Sequence, residues 1–463
     1  MNRFTTSWGD FQLTRFPEEP REQLRAWDAA DEYLLRHLHG DPELPAAPAT
    51  APAPAAAPAT APAPAAAPAT APAPAAAPAT APAPAPAAAP ATAPAAAPAT
   101  APAPAAAPAT APAPAAAPGI GGLRGSVVVL GDRWGALVTA LAAAQPSAAL
   151  TQLGDSYLAR EATRANLARN GLDPDAVRLL AGTDAPPERI DVLLIRVPKS
   201  LAFLEDQLHR LAPALHPQTV VIGTGMVTEI HTSTLQLFER IIGPTRTSLA
   251  VKKARLIFST VDPALARTAS PWPLSYALPA DLGPVSGRTV VNHAGIFCAD
   301  RLDIGTRFLL QHLPARQGHE QVVDLGCGNG VVGTAAALAN PAAEVTFIDE
   351  SFAAVAAAEA TFRANTPPDT VAHFQAGDAL AAVSPGSVDL VLNNPPFHSH
   401  QATTDATAWR MFTGARRALR PGGELWVVGN RHLAYHVKLR KLFGNCQTVA
   451  GNPKFVILRA VKR

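Results

Sequence analysis

Cysteine is scarce in this chain of 463 residues. The three that occur, Cys298, Cys327 and Cys446, are odd in number and widely spaced, which excludes a disulfide framework and a CxxC metal pair. An export signal is also missing. The opening MNRFTTSWGDF has no apolar core segment, so a reducing cytoplasm is the expected location. Charge is absent from Pro45 to Pro118, 74 residues of Ala, Pro and Thr alone that hold 23 of the 48 prolines. This run is no membrane span, because proline every few residues breaks the helical hydrogen bonding that a bilayer demands. Neither is it core, since alanine buries too little apolar surface to offset the entropy of ordering. The expectation is a disordered low-complexity insertion.

Setting that run aside leaves 389 residues bearing all 74 charged side chains, about 19% and ordinary for a soluble globular protein. Two folded domains are the natural expectation. The net charge is only +2, but Arg410 to Arg463 holds 12 Lys or Arg against the single acid Glu424. A basic face of this kind suits a polyanion such as nucleic-acid phosphate, or is a solvated surface without a partner.

Before the repeat, one helical pattern is expected from about Glu18 to His39, with Leu24, Trp27, Asp31, Leu34, Leu35 and Leu38 on one stripe. After it, strands are expected at 126–131, 148–153, 192–197, 219–223 and 254–261, with helical patterns between. The same alternation recurs, with strands expected at 321–325, 344–348, 372–376, 388–392, 424–429 and 455–461. This is the βαβ signature of open, mainly parallel sheets.

The halves also match in detail. Val129 to Gly135 (VLGDRWG) lies over Asp324 to Gly330 (DLGCGNG), and Gly154 to Ser156 (GDS) lies over Asp349 to Ser351 (DES). This points to a duplicated domain. In the first copy Val129 replaces Asp324 and Arg133 replaces Gly328, which removes a carboxylate and crowds the loop, so loss of its ligand site is expected.

In the second copy, Val322 to Gly333 reads as a strand ending in a glycine-rich turn that opens a helix. Gly326, Gly328 and Gly330 let backbone approach a ligand at the carboxyl edge of the sheet. Asp324 precedes this loop and Asp349 closes the next strand. A carboxylate at the second strand end suits a ribose diol. Asp324 can orient loop amides or take up a cationic group, which fits S-adenosylmethionine better than a pyrophosphate; helix capping by both acids is the bland alternative. Asp378, after the third strand, extends the set toward the adenine.

The fourth strand ends in Asn394, Pro395, Pro396 and Phe397. Consecutive prolines stiffen the turn, so the Asn394 side-chain oxygen and the Pro395 carbonyl are placed to accept hydrogen bonds from an exocyclic amine. Phe397 offers a face on which a base can stack. Catalysis there rests on positioning and desolvation. His398, His400, His432 and His436 lie near the site in sequence but lack a carboxylate or cysteine ligand set, so no metal is expected. Cys327 reads as a small packing residue.

These motifs resemble the small-domain class of S-adenosylmethionine-dependent ribosomal RNA guanine-N2 methyltransferases. More narrowly, Arg25 to Tyr33, Ile230 to Thr234, Leu302 to Phe308, Asn393 to His398 and Gly429 to His432 are similar to the family that modifies a guanine of 23S rRNA. The resemblance implies an α/β fold of two tandem Rossmann-like methyltransferase domains, the N-terminal copy degenerate and helping to grip RNA. It also implies that Phe297 and Asp303 cover the cofactor or substrate edge, core packing being the alternative for Phe297. The tract departs from the family, which joins its first helix to its first strand by a short connection, and its deletion is expected to spare catalysis.

The expected organisation is an N-terminal helical segment (1–44), the insertion (45–118), a degenerate domain (119–285) with RNA contacts expected through Arg133, Lys252, Lys253 and Arg255, and a catalytic domain (286–463). The expected activity is methyl transfer to guanine N2 of 23S rRNA, with no membrane association and no stable protein partner. Rivals are methylation of a 16S rRNA guanine, adenine N6 or a glutamine amide, and a non-catalytic ribosome-assembly factor.

Overall fold

The computed structural model describes residues 2–18, 23–45, 123–396 and 401–463, the last stretch with side chains from 406 onward. Nearly all of the expected insertion, 46–118, lies outside the described residues.

The chain opens on a hairpin, β1 (Arg3–Thr6) and β2 (Gly9–Gln12), followed by α1 (Ala29–His39). The helix starts at Ala29, not near Glu18, because Asp28 closes a capping box: Ala30 N donates to Asp28 Oδ1 (2.8 Å) and Asp28 N donates to Asp31 Oδ2 (2.9 Å). Trp27, counted in the helical stripe, instead stacks on Phe4 at a centroid distance of 4.9 Å, and Leu24 is exposed.

The first large sheet is built from β3 (Ser126–Leu130), α2 (Ala136–Ala144), β4 (Ala149–Gly154), α3 (Tyr157–Arg169), β5 (Val177–Ala181), β6 (Ile190–Arg196), α4 (Leu201–Leu211), β7 (Leu215–Met226), α5 (Thr232–Ile241), β8 (Thr245–Thr247) and β9 (Ala254–Ser259). Its strand order is β5-β4-β3-β6-β7-β9-β8. Helix α1 packs on β7 and β9, burying Leu34, Leu35 and Leu38, while Phe4 and Leu13 enter the same core. Each such side chain contributes ~1.5–3 kcal/mol.

A second antiparallel pair, β10 (Leu274–Ala277) and β11 (Thr289–Asn292), precedes α6 (Ile304–Leu310). The second large sheet then comprises β12 (Gln321–Leu325), α7 (Val331–Ala339), β13 (Glu344–Asp349), α8 (Phe352–Asn365), β14 (Ala372–Ala376), β15 (Val388–Asn393), α9 (Gln401–Ala418), β16 (Leu419–Asn430), α10 (Tyr435–Phe443), β17 (Gln447–Gly451) and β18 (Phe455–Val461). Its order, β14-β13-β12-β15-β16-β18-β17, repeats that of the first sheet, so the duplication read from the sequence is a duplication of fold. In each sheet the first five strands are parallel and the last two antiparallel to their neighbours. The central strands are buried on both faces, which is why they read as continuous apolar runs.

The halves meet through a reciprocal exchange at the starts of α3 and α8. Ser156 Oγ donates to Glu350 Oε2 (2.6 Å) and Ser351 Oγ donates to Asp155 Oδ2 (2.5 Å). Tyr157 N donates to Glu350 O (2.8 Å), and Phe352 N to Asp155 O (2.9 Å). The GDS and DES segments that align in sequence thus bind one another.

Candidate active site

In the second sheet the crossovers reverse direction between β12 and β15, and ligands of open α/β sheets bind outside the carboxyl ends of strands at such a point. A cavity of about 610 Å³ opens there. Strand β12 contributes Asp324 to its wall, the glycine-rich loop Gly326 and Gly328, and β13 Asp349, while Asp378 follows β14. Asn394, Pro395 and Pro396 line it beside the loop, and Leu158 of α3 reaches in from the N-terminal half. Phe397, His398 and His400 lie outside the described residues.

Gly328 and Gly330 make different demands. At Gly328 (φ 53°) an added Cβ would meet nothing within 4 Å, so the loop presents bare backbone to the cavity. At Gly330 (φ 74°) a Cβ would lie 2.6 Å from Ala358 Cα. Gly330 is not among the cavity-lining residues; it permits close packing of the loop on α8.

Asp324 is 3% exposed, and its Oδ2 accepts from Gly333 N (2.7 Å), fixing the first turn of α7. Burial pushes its carboxyl up to about 7, against the pull of the Gly333 amide and with a push from Asp349. Asp349 accepts from Gly328 N on Oδ2 and from Ser351 N on Oδ1, both at 3.0 Å. Burial raises its pKa and these amides oppose the rise. Asp349 therefore ties the loop to the strand end. Asp378 faces Arg410 Nη1 of α9 at 3.6 Å.

At the end of β15, Asn393 Nδ2 donates to Leu325 O (2.7 Å), joining the two strands at the switch point. The next residue, Asn394, donates from Nδ2 to Thr306 Oγ1 (2.9 Å), with Asp303 Oδ2 at 3.4 Å. Asn394 Oδ1 is buried with no partner among the described residues. Sequence reasoning missed Thr306. The only signal was its place in the Leu302 to Phe308 segment, three residues after the helix-capping Asp303. Phe297 lines the cavity and is 56% exposed, so it is not core packing. Cys327 is buried, and burial drives its thiol pKa well above the ordinary value, which leaves no nucleophile there. Among the described residues no group of three or more His, Cys, Asp or Glu is arranged to hold a metal ion.

The corresponding place in the N-terminal half is filled by ion pairs. Arg196, 1% exposed, donates from Nη2 to Asp28 Oδ2 (2.6 Å) and from Nη1 to Glu229 Oε2 (2.7 Å), with Asp31 Oδ1 3.4 Å from Nε. Arg133 Nη2 donates to Glu229 Oε1 (2.7 Å). Although Glu229 is partly buried, these arginines hold its carboxyl down at about 2. Arg133 is thus paired with Glu229, and Lys252, its side chain exposed, pairs with Glu32 (2.6 Å). The carboxylate at the loop is displaced rather than lost. Asp132 accepts from Val138 N (2.9 Å) at the helix position where Asp324 accepts from Gly333 N.

Comparison with known proteins accords with this architecture. The methyltransferase small domain model matches residues 287–459, and the RLMG N-terminal domain model matches 1–50 and 117–263. Ribosomal RNA large subunit methyltransferase G of Streptomyces griseus is 61% identical over the whole of both chains. That of Stutzerimonas stutzeri is 41% identical over 99% of this chain and 98% of its own. Among solved structures, a 16S rRNA N2 methyltransferase of T. thermophilus in complex with AdoMet and guanosine aligns with a TM-score of 0.61 at 23% identity, covering 73% of this chain and 88% of that one; it shows the shared fold. With relatives of one name matching it from end to end, the chain belongs to the ribosomal RNA large subunit methyltransferase G family.

Proposed function

We infer that the protein transfers a methyl group from S-adenosylmethionine to the exocyclic N2 amine of a guanine in 23S rRNA. The observation that carries this reading is the buried, partnerless Asn394 Oδ1 at the carboxyl edge of β15, beside the glycine-rich loop. An unsatisfied buried acceptor costs ~1–3 kcal/mol, and a donor from a ligand recovers it.

The cavity fits the cofactor. Asp349 retains lone pairs on both oxygens for a ribose diol, Gly328 leaves room for an amino-acid tail, and Asp378 lies toward the base. Bound there, S-adenosylmethionine supplies an electrophilic sulfonium methyl. Asn394 Oδ1 and the Pro395 carbonyl hold the hydrogens of the amine, which fixes the plane of the NH₂ group and leaves the nitrogen face free. The apolar walls and the rigid diproline turn exclude water and confine the base, so the rate gain comes from positioning. Phe397 stacks the base, and the N-terminal half contributes to the grip on RNA. The protein acts in the cytoplasm. Among the described residues no helix is long and apolar enough to cross a membrane.

The reading is tested by mapping methylation on rRNA from a strain lacking the gene. Loss of one 2-methylguanosine from 23S rRNA, restored by the gene, is the expected result; an unchanged 23S map contradicts it.

A further inference from the structure

Asn394 can act as an acceptor only if its carboxamide is held one way round. A carboxamide is nearly symmetric in shape, so its neighbours alone decide which end faces a ligand. Here those neighbours come from α6, an element outside the glycine-rich loop and the diproline turn.

Asp303 caps α6, its Oδ2 accepting from Thr306 N (2.8 Å). The same oxygen accepts from Thr306 Oγ1 at 3.3 Å. An ionised carboxylate only accepts, so the hydroxyl proton of Thr306 is directed to it and the hydroxyl lone pairs face the other way. Asn394 Nδ2 donates into them at 2.9 Å, with Asp303 Oδ2 at 3.4 Å as a second, weaker acceptor. In the reversed orientation Asn394 Oδ1 would face both of these oxygens, and the amide NH₂ would be buried without an acceptor. Thr306 is only 9% exposed, so water does not readily substitute for its hydroxyl.

We propose that Thr306, anchored by Asp303, is a positioning residue that locks the Asn394 carboxamide with Nδ2 on the Thr306 hydroxyl and Oδ1 left without a protein donor, and so sets the site to receive an N–H donor. The inference rests on the amine-methylation reading above and adds to it the group that fixes the acceptor. The order Asp303, Thr306, Asn394 also aligns successive hydrogen-bond dipoles, which strengthens the final acceptor. Selection follows. A base edge presenting an oxygen at this place sets oxygen against oxygen, and a site built for a donor rejects such a group strongly.

The test compares Thr306→Val, Thr306→Ser and Asn394→Ala in the full chain, with S-adenosylmethionine and unmethylated 23S rRNA as substrates. Thr306→Val replaces the hydroxyl by a methyl of similar size. It is expected to lower kcat on the order of 10- to 100-fold, the scale of a small misplacement of a reacting group. The Kd for S-adenosylmethionine, read by calorimetry, and the KM for RNA stay near wild type. Thr306→Ser keeps the hydroxyl and restores most of kcat. If Thr306→Val does not fold, Thr306→Ala removes the same hydroxyl without adding bulk and gives the same reading. Full kcat in the hydroxyl-lacking variant beside an inactive Asn394→Ala overturns the role of Thr306 while leaving the amine reading intact. Parallel loss of cofactor affinity and kcat, not rescued by serine, also overturns it, since that marks a general structural role. Full activity of Asn394→Ala removes the underlying reading and this inference with it.

Discussion

Arg196 takes in the N-terminal half the place that Asn394 takes in the C-terminal half. Leu130 of β3 pairs with Ile195 of β6, and Leu325 of β12 pairs with Asn393 of β15, so Arg196 and Asn394 are the next residues at equivalent strand ends. One copy of the fold leaves a buried acceptor unsatisfied at this strand end, and the other places there a guanidinium held by three carboxylates. The silent copy is therefore stabilised by the position at which its twin works.

Arg196→Ala should strongly destabilise the protein. Removing the buried guanidinium leaves Asp31 without its cation and Asp28 and Glu229 with Arg133 alone, a loss of ~3–5 kcal/mol. Denaturant unfolding of the intact chain measures it. A loss below ~1 kcal/mol would show that the cluster contributes little.

The plugged copy also implies one cofactor per chain. Isothermal titration with S-adenosylmethionine should give a stoichiometry near one, unchanged by substitutions at Arg133. Binding of two equivalents would contradict the degenerate reading of the N-terminal half.

The two loop glycines should separate stability from binding. Gly330→Ala places a Cβ against Ala358 Cα and the helix α8 backbone, so a marked fall in melting temperature is expected. Gly328→Ala meets no neighbour; it carries only the ~1 kcal/mol strain of a left-handed backbone and should chiefly weaken cofactor affinity, because the new methyl enters the cavity. Thermal melts and calorimetry on both variants read the contrast.

Asp324 gives a pH signature. Its folded pKa is raised to about 7 by burial, above the unfolded value near 4, so the folded chain binds the extra proton between these limits. The stability this group contributes is present below about pH 4 and is lost as pH rises through about 7. Asp324→Asn keeps an acceptor for Gly333 N but cannot ionise. Its melting temperature relative to wild type should therefore rise between pH 5 and pH 8; a difference independent of pH would show that Asp324 does not titrate in this range.

Much of this architecture was legible in the sequence, because central parallel strands such as Ser126–Leu130 are largely apolar and glycine marks their turns. The short edge strands β8 and β17, rich in threonine and glutamine, carry no such signal and were not anticipated. The start of α1 was misplaced because Trp27 and Leu24 continue a helical spacing that the capping box at Asp28 overrides. Asn394, the strand-end acids and the glycine loop announced themselves by local motif. Their supports did not: Thr306 lies 88 residues from Asn394, and Asp28 lies 168 from Arg196. Pairings at such separations are made by the fold and have no local pattern to betray them.

The most direct test of the central claim is methyl transfer in vitro to 23S rRNA from a strain lacking the gene, with wild-type protein and Asn394→Ala side by side. Digestion to nucleosides and mass analysis should find 2-methylguanosine with wild type. The variant should yield at least ~100-fold less while binding S-adenosylmethionine with near-native affinity. A methylated adenosine in place of 2-methylguanosine, or full activity of Asn394→Ala, would contradict the account.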